Sequence, residues 1–72
     1  MLDDTTYRLY IENMTGKELV KLLKKNGWEL DRINGSHHIM YKGTKTLSVP
    51  VHGNKDLPSG TLNTLLKEGG LK

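Results

Sequence analysis

Two leucine stripes at helical spacing bracket three short strand-like runs, and that order constrains the chain more than any other feature. Leu19, Leu22 and Leu23 fall on one helical face with Val20 at its border, and Leu62, Leu65 and Leu66 repeat the pattern near the other end. Between them lie the runs Trp28–Ile33, Ser36–Lys42 and Lys45–Val51, separated by Asn34-Gly35 and Gly43-Thr44. Asn-Gly between alternating residues is a strong signal for a two-residue hairpin loop. The predicted order is therefore α-β-β-β-α. An α+β fold follows, a three-stranded antiparallel sheet with both helices on one face, because that arrangement buries both stripes together.

The helix ends carry their own signals. Thr15-Gly-Lys-Glu18 has the spacing of a capping box, which predicts a helix from Gly16 to Asn26. Asn26-Gly27 supplies a left-handed stop. A loop from His52 to Leu57 leads to a second helix from Pro58 to Glu68, with Pro58 in its first turn. Gly69-Gly70 ends it, and Leu71 can fold back onto the core. Pro50 cannot donate to a sheet ladder, so it belongs at a strand end or on an edge. The layout resembles a double-stranded-RNA-binding domain.

At 72 residues the chain holds one domain with a small core. It has no cysteine, which excludes a disulfide framework, a thiolate zinc site and a cysteine nucleophile together. No apolar run reaches the ~18 residues of a membrane-spanning helix, and no signal-peptide pattern is present. The expectation is a soluble, cytoplasmic protein. Residues 1–13 read as a separate piece ahead of a 14–72 domain. Met14 can itself be a start. Tyr7, Leu9 and Ile11 alternate as in an added edge strand, but an arm, an artificial addition or a mis-assigned start fits equally well.

Charge gives the first hint of a partner. Eleven Lys and Arg face eight Asp and Glu, a net +3. Residues 1–13 hold three acids against one base, so the remaining 59 residues carry ten basic and five acidic side chains, or +5. Such an excess suits a polyanionic partner. Solubility alone is the plainer explanation. Lys17, Lys21, Lys24 and Lys25 line the polar side of the first helix, where phosphate contact competes with simple solvation.

Strand parity shapes the functional expectation. If Ile39, Tyr41, Leu47, Val49 and Val51 form the core face, His38, Met40, Lys42 and His52 lie on the opposite, open face. Asn34-Gly35-Ser36-His37-His38 then presents a glycine, a hydroxyl and an imidazole side by side. Imidazole titrates near neutrality, so it can give or take a proton in phosphodiester chemistry without a metal. The residue-level alternative is ordinary: a single exposed histidine is more often a surface residue. Adjacent strand histidines point to opposite faces, which argues against one metal ion shared by His37 and His38. No nucleophile-elbow sequence surrounds Ser36, and no phosphate-loop or dinucleotide fingerprint is present. Trp28 reads first as a core residue, second as a stacking surface for a base.

Residues 14–72 then resemble a known family. Met14-Thr-Gly-Lys-Glu-Leu-Val-Lys-Leu-Leu-Lys-Lys-Asn-Gly-Trp28, Gly35-Ser-His-His38, Val49-Pro-Val-His52, Gly60-Thr-Leu62 and a terminal Gly-Leu look like the HicA toxin of bacterial HicA–HicB toxin–antitoxin systems. The resemblance implies a small messenger-RNA interferase with a fold like the double-stranded-RNA-binding domain. It implies that a single essential histidine, His38 here, cleaves single-stranded messenger RNA and arrests translation and growth. Gly35, Ser36, His37, Lys42 and His52 are the expected binding or supporting residues. No cofactor or metal is expected. The expected partner is a HicB-like antitoxin that covers the histidine, and contact with DNA is expected through the antitoxin alone. Residues 1–13 inherit no role from the resemblance. A non-catalytic RNA-binding module and a protein-interaction domain are the alternative readings. The first is disfavoured because only Lys55 lies close to the start of the last helix.

Overall fold

The computed structural model describes residues 14–71; the expectations for residues 1–13 lie outside the described residues. The elements are α1 (Gly16–Lys25), β1 (Glu29–Asn34), β2 (His37–Lys42), β3 (Lys45–Pro50) and α2 (Ser59–Glu68). The fold is the expected α-β-β-β-α, with one antiparallel sheet in the order β1-β2-β3. No helix among the described residues is long and apolar enough to cross a membrane.

The α1 helix starts where its chemistry requires. The Glu18 backbone N–H donates to the Thr15 hydroxyl at 3.2 Å, and the Thr15 N–H donates back to the Glu18 carboxylate at 2.9 Å. This reciprocal pair satisfies two donors that a helix start leaves orphaned. Glu18 in the first turn and Lys24 and Lys25 in the last also oppose the helix dipole. Asn26 caps the end, and Gly27 continues at φ +94°, a value that disfavours any side chain.

Both helices close one face of the sheet. Leu19, Leu22 and Leu23 of α1 meet Leu62, Leu65 and Leu66 of α2 over Met40, Leu47 and Val49 of the sheet, in one buried cluster. Each such aliphatic side chain contributes ~1.5–3 kcal/mol relative to an exposed one. Met14, Trp28 and Leu57 seal the margins, and Val51 and Leu71 pack against the cluster. The fold-back of Leu71 is confirmed by its N–H donating to the Leu66 carbonyl at 2.9 Å.

Gly16 fixes how α1 meets the sheet. A Cβ there would collide with the Pro50 carbonyl oxygen and lie 3.0 Å from the Val51 Cα. The helix start therefore rests directly on the end of β3. At its other end, the Lys42 ammonium donates to the Asn26 carbonyl at 2.9 Å. The α1 N-terminus thus lies over the sheet end that holds Pro50, and its C-terminus over the end that holds Lys42.

The expected parity of β2 is overturned. Met40 is fully buried, while Tyr41 is exposed and Ile39 is half-buried. The register explains why. Met40 pairs with Leu47 and His38 with Val49, and directly opposed residues share a face. Leu47 and Val49 are the buried set of β3, so Met40 and His38 go with them toward the helices. Ile39 and Tyr41 fall on the open face instead, opposite Ser48 and Thr46.

The first hairpin also sits one residue later than Asn34-Gly35. Asn34 pairs with His37, leaving Gly35 and Ser36 as the loop. Gly35 takes φ +60° and Ser36 does not take a positive φ. That is the demand of a II′ turn, with glycine at its first central position, rather than of an Asn-Gly I′ turn. The second hairpin has its predicted loop, Gly43–Thr44, with Gly43 at φ +62°. On β1, a bulge at Asp31 separates the Leu30–Met40 and Arg32–Ile39 pairs. There Arg32 donates to the Asp31 carboxylate at 2.7 Å, on the exposed side of the strand.

Candidate functional site

Among the expected site residues, Gly35, Ser36, His37 and His38 gather at one end of the sheet. Gly35 and Ser36 form the turn, and His37 and His38 open β2. Hydrogen bonding extends this end into the next segment. The Val51 N–H donates to the Ser36 carbonyl at 2.7 Å, one step beyond the His37–Pro50 pair. Because Gly16 abuts Pro50 and Val51, the start of α1 belongs to the same end.

His38 is not on an open sheet face, as parity suggested. It is half-buried on the helix side, between Ile33 of β1 and Val49 of β3 in the register. Val49 is fully buried, whereas Ile33 is 57% exposed. The imidazole therefore sits at the margin of the core, one side against packed aliphatics and the other toward the rim. Its Nδ1 atom is buried and has no hydrogen-bond partner among the described residues. Buried polar atoms are nearly always partnered, so an unpartnered one calls for an explanation, and a catalytic role is one of those available. His37, on the other face, is exposed and pairs across the sheet with Pro50.

His52 follows β3 in an exposed turn closed by the Lys55 N–H donating to its carbonyl at 3.1 Å. It lines a cavity of about 320 Å³ with Pro50, Lys55, Asp56, Leu57, Pro58 and Thr61. The Leu57 N–H donates to the Met14 carbonyl at 2.8 Å, which ties the wall of this cavity to the chain entering α1. Pro50 joins the two histidine neighbourhoods, since it pairs with His37 and lines the His52 cavity. His38 itself does not line that cavity.

Lys42 departs from expectation. It shares the face of His38 but lies four residues along β2, about 13 Å at strand spacing. Its ammonium is directed to the Asn26 carbonyl, where a cation opposes the negative end of α1. It cannot act on the same bond as His38. Sequence reasoning missed two further contributors. Gly16 and Ile33 frame the His38 end, and the signal for Gly16 was a glycine in the first helical turn, where helix propensity alone disfavours it.

The open face carries a different feature. The Tyr41 hydroxyl titrates above its usual value of 10.0, first through a hydrogen bond to the Glu29 carboxylate opposite and then through that carboxylate's charge. Among the described residues, no three His, Asp or Glu side chains converge as a metal site requires.

With the fold and the histidine end in place, comparison with known families decides the relationship. The family described as HicA toxin of bacterial toxin-antitoxin matches residues 16–71. The chain belongs to the HicA toxin family. Comparison with curated proteins gives no match. As a HicA family member the chain has the role of a toxin, and the family pairs with an antitoxin. The match spans all five elements, from the start of α1 to Leu71, and includes the Gly35–His38 turn and strand start.

Proposed function

We propose that this HicA family toxin is an endoribonuclease that cleaves single-stranded messenger RNA, with His38 as its proton-transfer residue. The reading rests on one observation above the rest: His38 is half-buried at the sheet end with its Nδ1 buried and unpartnered among the described residues. The sealed nitrogen leaves Nε2 as the atom that meets a substrate. In the proposed step, Nε2 takes the proton of a ribose 2′-hydroxyl. The 2′-oxygen forms a bond to the adjacent phosphorus, and the bond from phosphorus to the 5′-oxygen breaks. The leaving oxygen takes a proton from water, and the protonated imidazole returns its own to solvent. General base catalysis of this type contributes ~10²–10⁴-fold. Backbone N–H groups of the Gly35–Ser36 turn lie beside the histidines and supply donors to the phosphate. His37 and His52 are the supporting candidates at this end. Cleavage of messenger RNA by such a toxin arrests translation and growth, and a HicB-like antitoxin restrains it by covering His38.

The test incubates purified protein with a defined messenger RNA in the presence of EDTA, beside a His38→Ala variant shown by circular dichroism to be folded. Cleavage by the parent alone is expected. Equal cleavage by both would remove His38 from the chemistry and turn attention to His52. Tight binding of duplex RNA without cleavage by either would replace the enzyme reading with that of a non-catalytic RNA-binding module.

A further inference from the structure

At the end of the sheet away from His38, Lys42 and Lys45 face each other as the last register pair before the Gly43–Thr44 turn. Like charges placed directly opposite in a sheet are destabilising. Neither ammonium forms an ion pair among the described residues, where the ion pair formed is Asp31–Arg32. Lys42 gives one hydrogen bond, to the Asn26 carbonyl, and an ammonium has three donors. A cavity of about 350 Å³ opens beside the pair, lined in part by Trp28, Lys42, Thr44, Lys45, Glu68 and Gly70. Exposed Lys24 and Lys25, in the last turn of α1, lie toward the same end.

The chemistry of this cavity selects its ligand. Two lysines from one register pair and the Thr44 hydroxyl suit a phosphate. Trp28 is buried, and its indole N–H is already donated to the Gly69 carbonyl, so the wall offers no free ring face for a base to stack on. Recognition here is of backbone, not of sequence. Glu68 on the same wall opposes an anion and makes the site weak for a free one. A phosphate delivered by a chain already held elsewhere overcomes that weakness, because its second contact is intramolecular.

We propose that the Lys42–Lys45 end is a second contact for an RNA backbone phosphate, about 13 Å along β2 from His38. It holds one flank of the strand whose reacting bond lies at His38, so the proposal rests on the RNA-cleaving reading. The two contacts lie at opposite ends of the sheet, and the helices cover the face between them, so the substrate bridges the ends around the helices.

The experiment measures RNA binding in the folded His38→Ala protein, so that no cleavage intervenes, across a range of salt concentrations. A dinucleotide is compared with an oligonucleotide long enough to span the sheet, and Lys45→Gln with the parent. The Lys45 side chain makes no hydrogen bond or ion pair among the described residues, so its replacement is expected to leave the fold intact. With the long RNA, Lys45→Gln is expected to weaken binding several-fold at low salt. It is also expected to reduce the slope of log affinity against log salt by about 0.7, the effect of one lost phosphate contact on a single strand. Glu68→Gln is expected to strengthen the same binding. The dinucleotide should bind both proteins equally, and inorganic phosphate should not shift the Thr44 or Lys45 amide resonances at concentrations where RNA does. An unchanged slope, or equal loss for dinucleotide and long RNA, overturns the second contact and leaves the His38 reading standing. Saturable binding of inorganic phosphate alone overturns the assignment to an RNA chain. No binding of RNA of any length by the folded protein overturns both readings.

Discussion

The Trp28 indole N–H donates to the Gly69 carbonyl at 3.1 Å, a buried bond across 41 residues. It joins the residue that enters β1 to the residue that ends α2. Gly69 has little freedom to move away, because a Cβ there would lie 2.8 Å from Leu23 Cδ2. The two helix ends and the sheet are thus locked through one donor and one acceptor. Trp28→Phe keeps most of the aromatic packing and leaves the Gly69 carbonyl unpaired. It is expected to cost about 1–3 kcal/mol. Urea unfolding followed by circular dichroism measures this, and an unchanged midpoint would show that water replaces the indole.

Gly16 and Gly60 should respond to alanine in opposite directions. Both lie in the first turn of a helix. A Cβ at Gly16 strikes the Pro50 backbone, which cannot swing aside as a side chain does, whereas a Cβ at Gly60 meets nothing within 4 Å among the described residues. Gly16→Ala is expected to destabilise by about 1–3 kcal/mol, the scale of overpacking, despite alanine's better helix propensity. Gly60→Ala is expected to stabilise by about 0.4–1 kcal/mol. The same sign for both would refute the close contact of α1 with β3.

Side-chain truncation along β2 checks its parity. Met40→Ala removes a fully buried side chain opposite Leu47 and is expected to cost about 2–5 kcal/mol. Ile39→Ala, at a half-buried position on the other face, should cost clearly less. Thermal unfolding of the two variants in parallel reads the difference, and a larger loss at Ile39 would reverse the orientation of the strand.

The Tyr41 phenol titrates high because Glu29 bonds to it and carries a negative charge opposite. The folded pKa is raised, so the folded state holds this proton more tightly than the unfolded chain. The associated stability is fully present below the ordinary value of 10.0 and declines as pH rises through the folded pKa. Glu29→Gln removes the charge and is expected to lower the Tyr41 pKa, read from its ring resonances in an NMR titration. No movement would assign the shift to something other than Glu29.

The order of elements was legible because the signals that mark them are local. The Thr15–Glu18 box, the Asn26-Gly27 stop and the two leucine stripes each act within a few residues and are realised as expected. The face of β2 was harder to read, since Ile39 and Tyr41 look as suitable for a core as Met40. Long-range pairing decides it. A two-residue loop at Gly43–Thr44 places Lys42 opposite Lys45 and therefore Met40 opposite Leu47, so the turn already contains the answer once its register is followed. His38 could be singled out from its motif, but its half-buried setting depends on that same register. The bond from Lys42 to Asn26 and the contact of Gly16 with Pro50 link distant segments, and no local pattern announces either.

The bulge at Asp31 bears on what happens when toxin copies meet without an antitoxin. Among the described strands β1 is an edge, and Leu30 and Ile33 along it are exposed apolar side chains. An uninterrupted edge of that kind invites another chain to zip on and the next to follow. Here the row of donors and acceptors breaks between Leu30 and Arg32, and an exposed charge pair stands at the break. An incoming strand can match the row on one side of Asp31 or the other, but cannot run through it in a single register. Such a break works against end-to-end strand addition, the route by which an unprotected edge seeds a fibre.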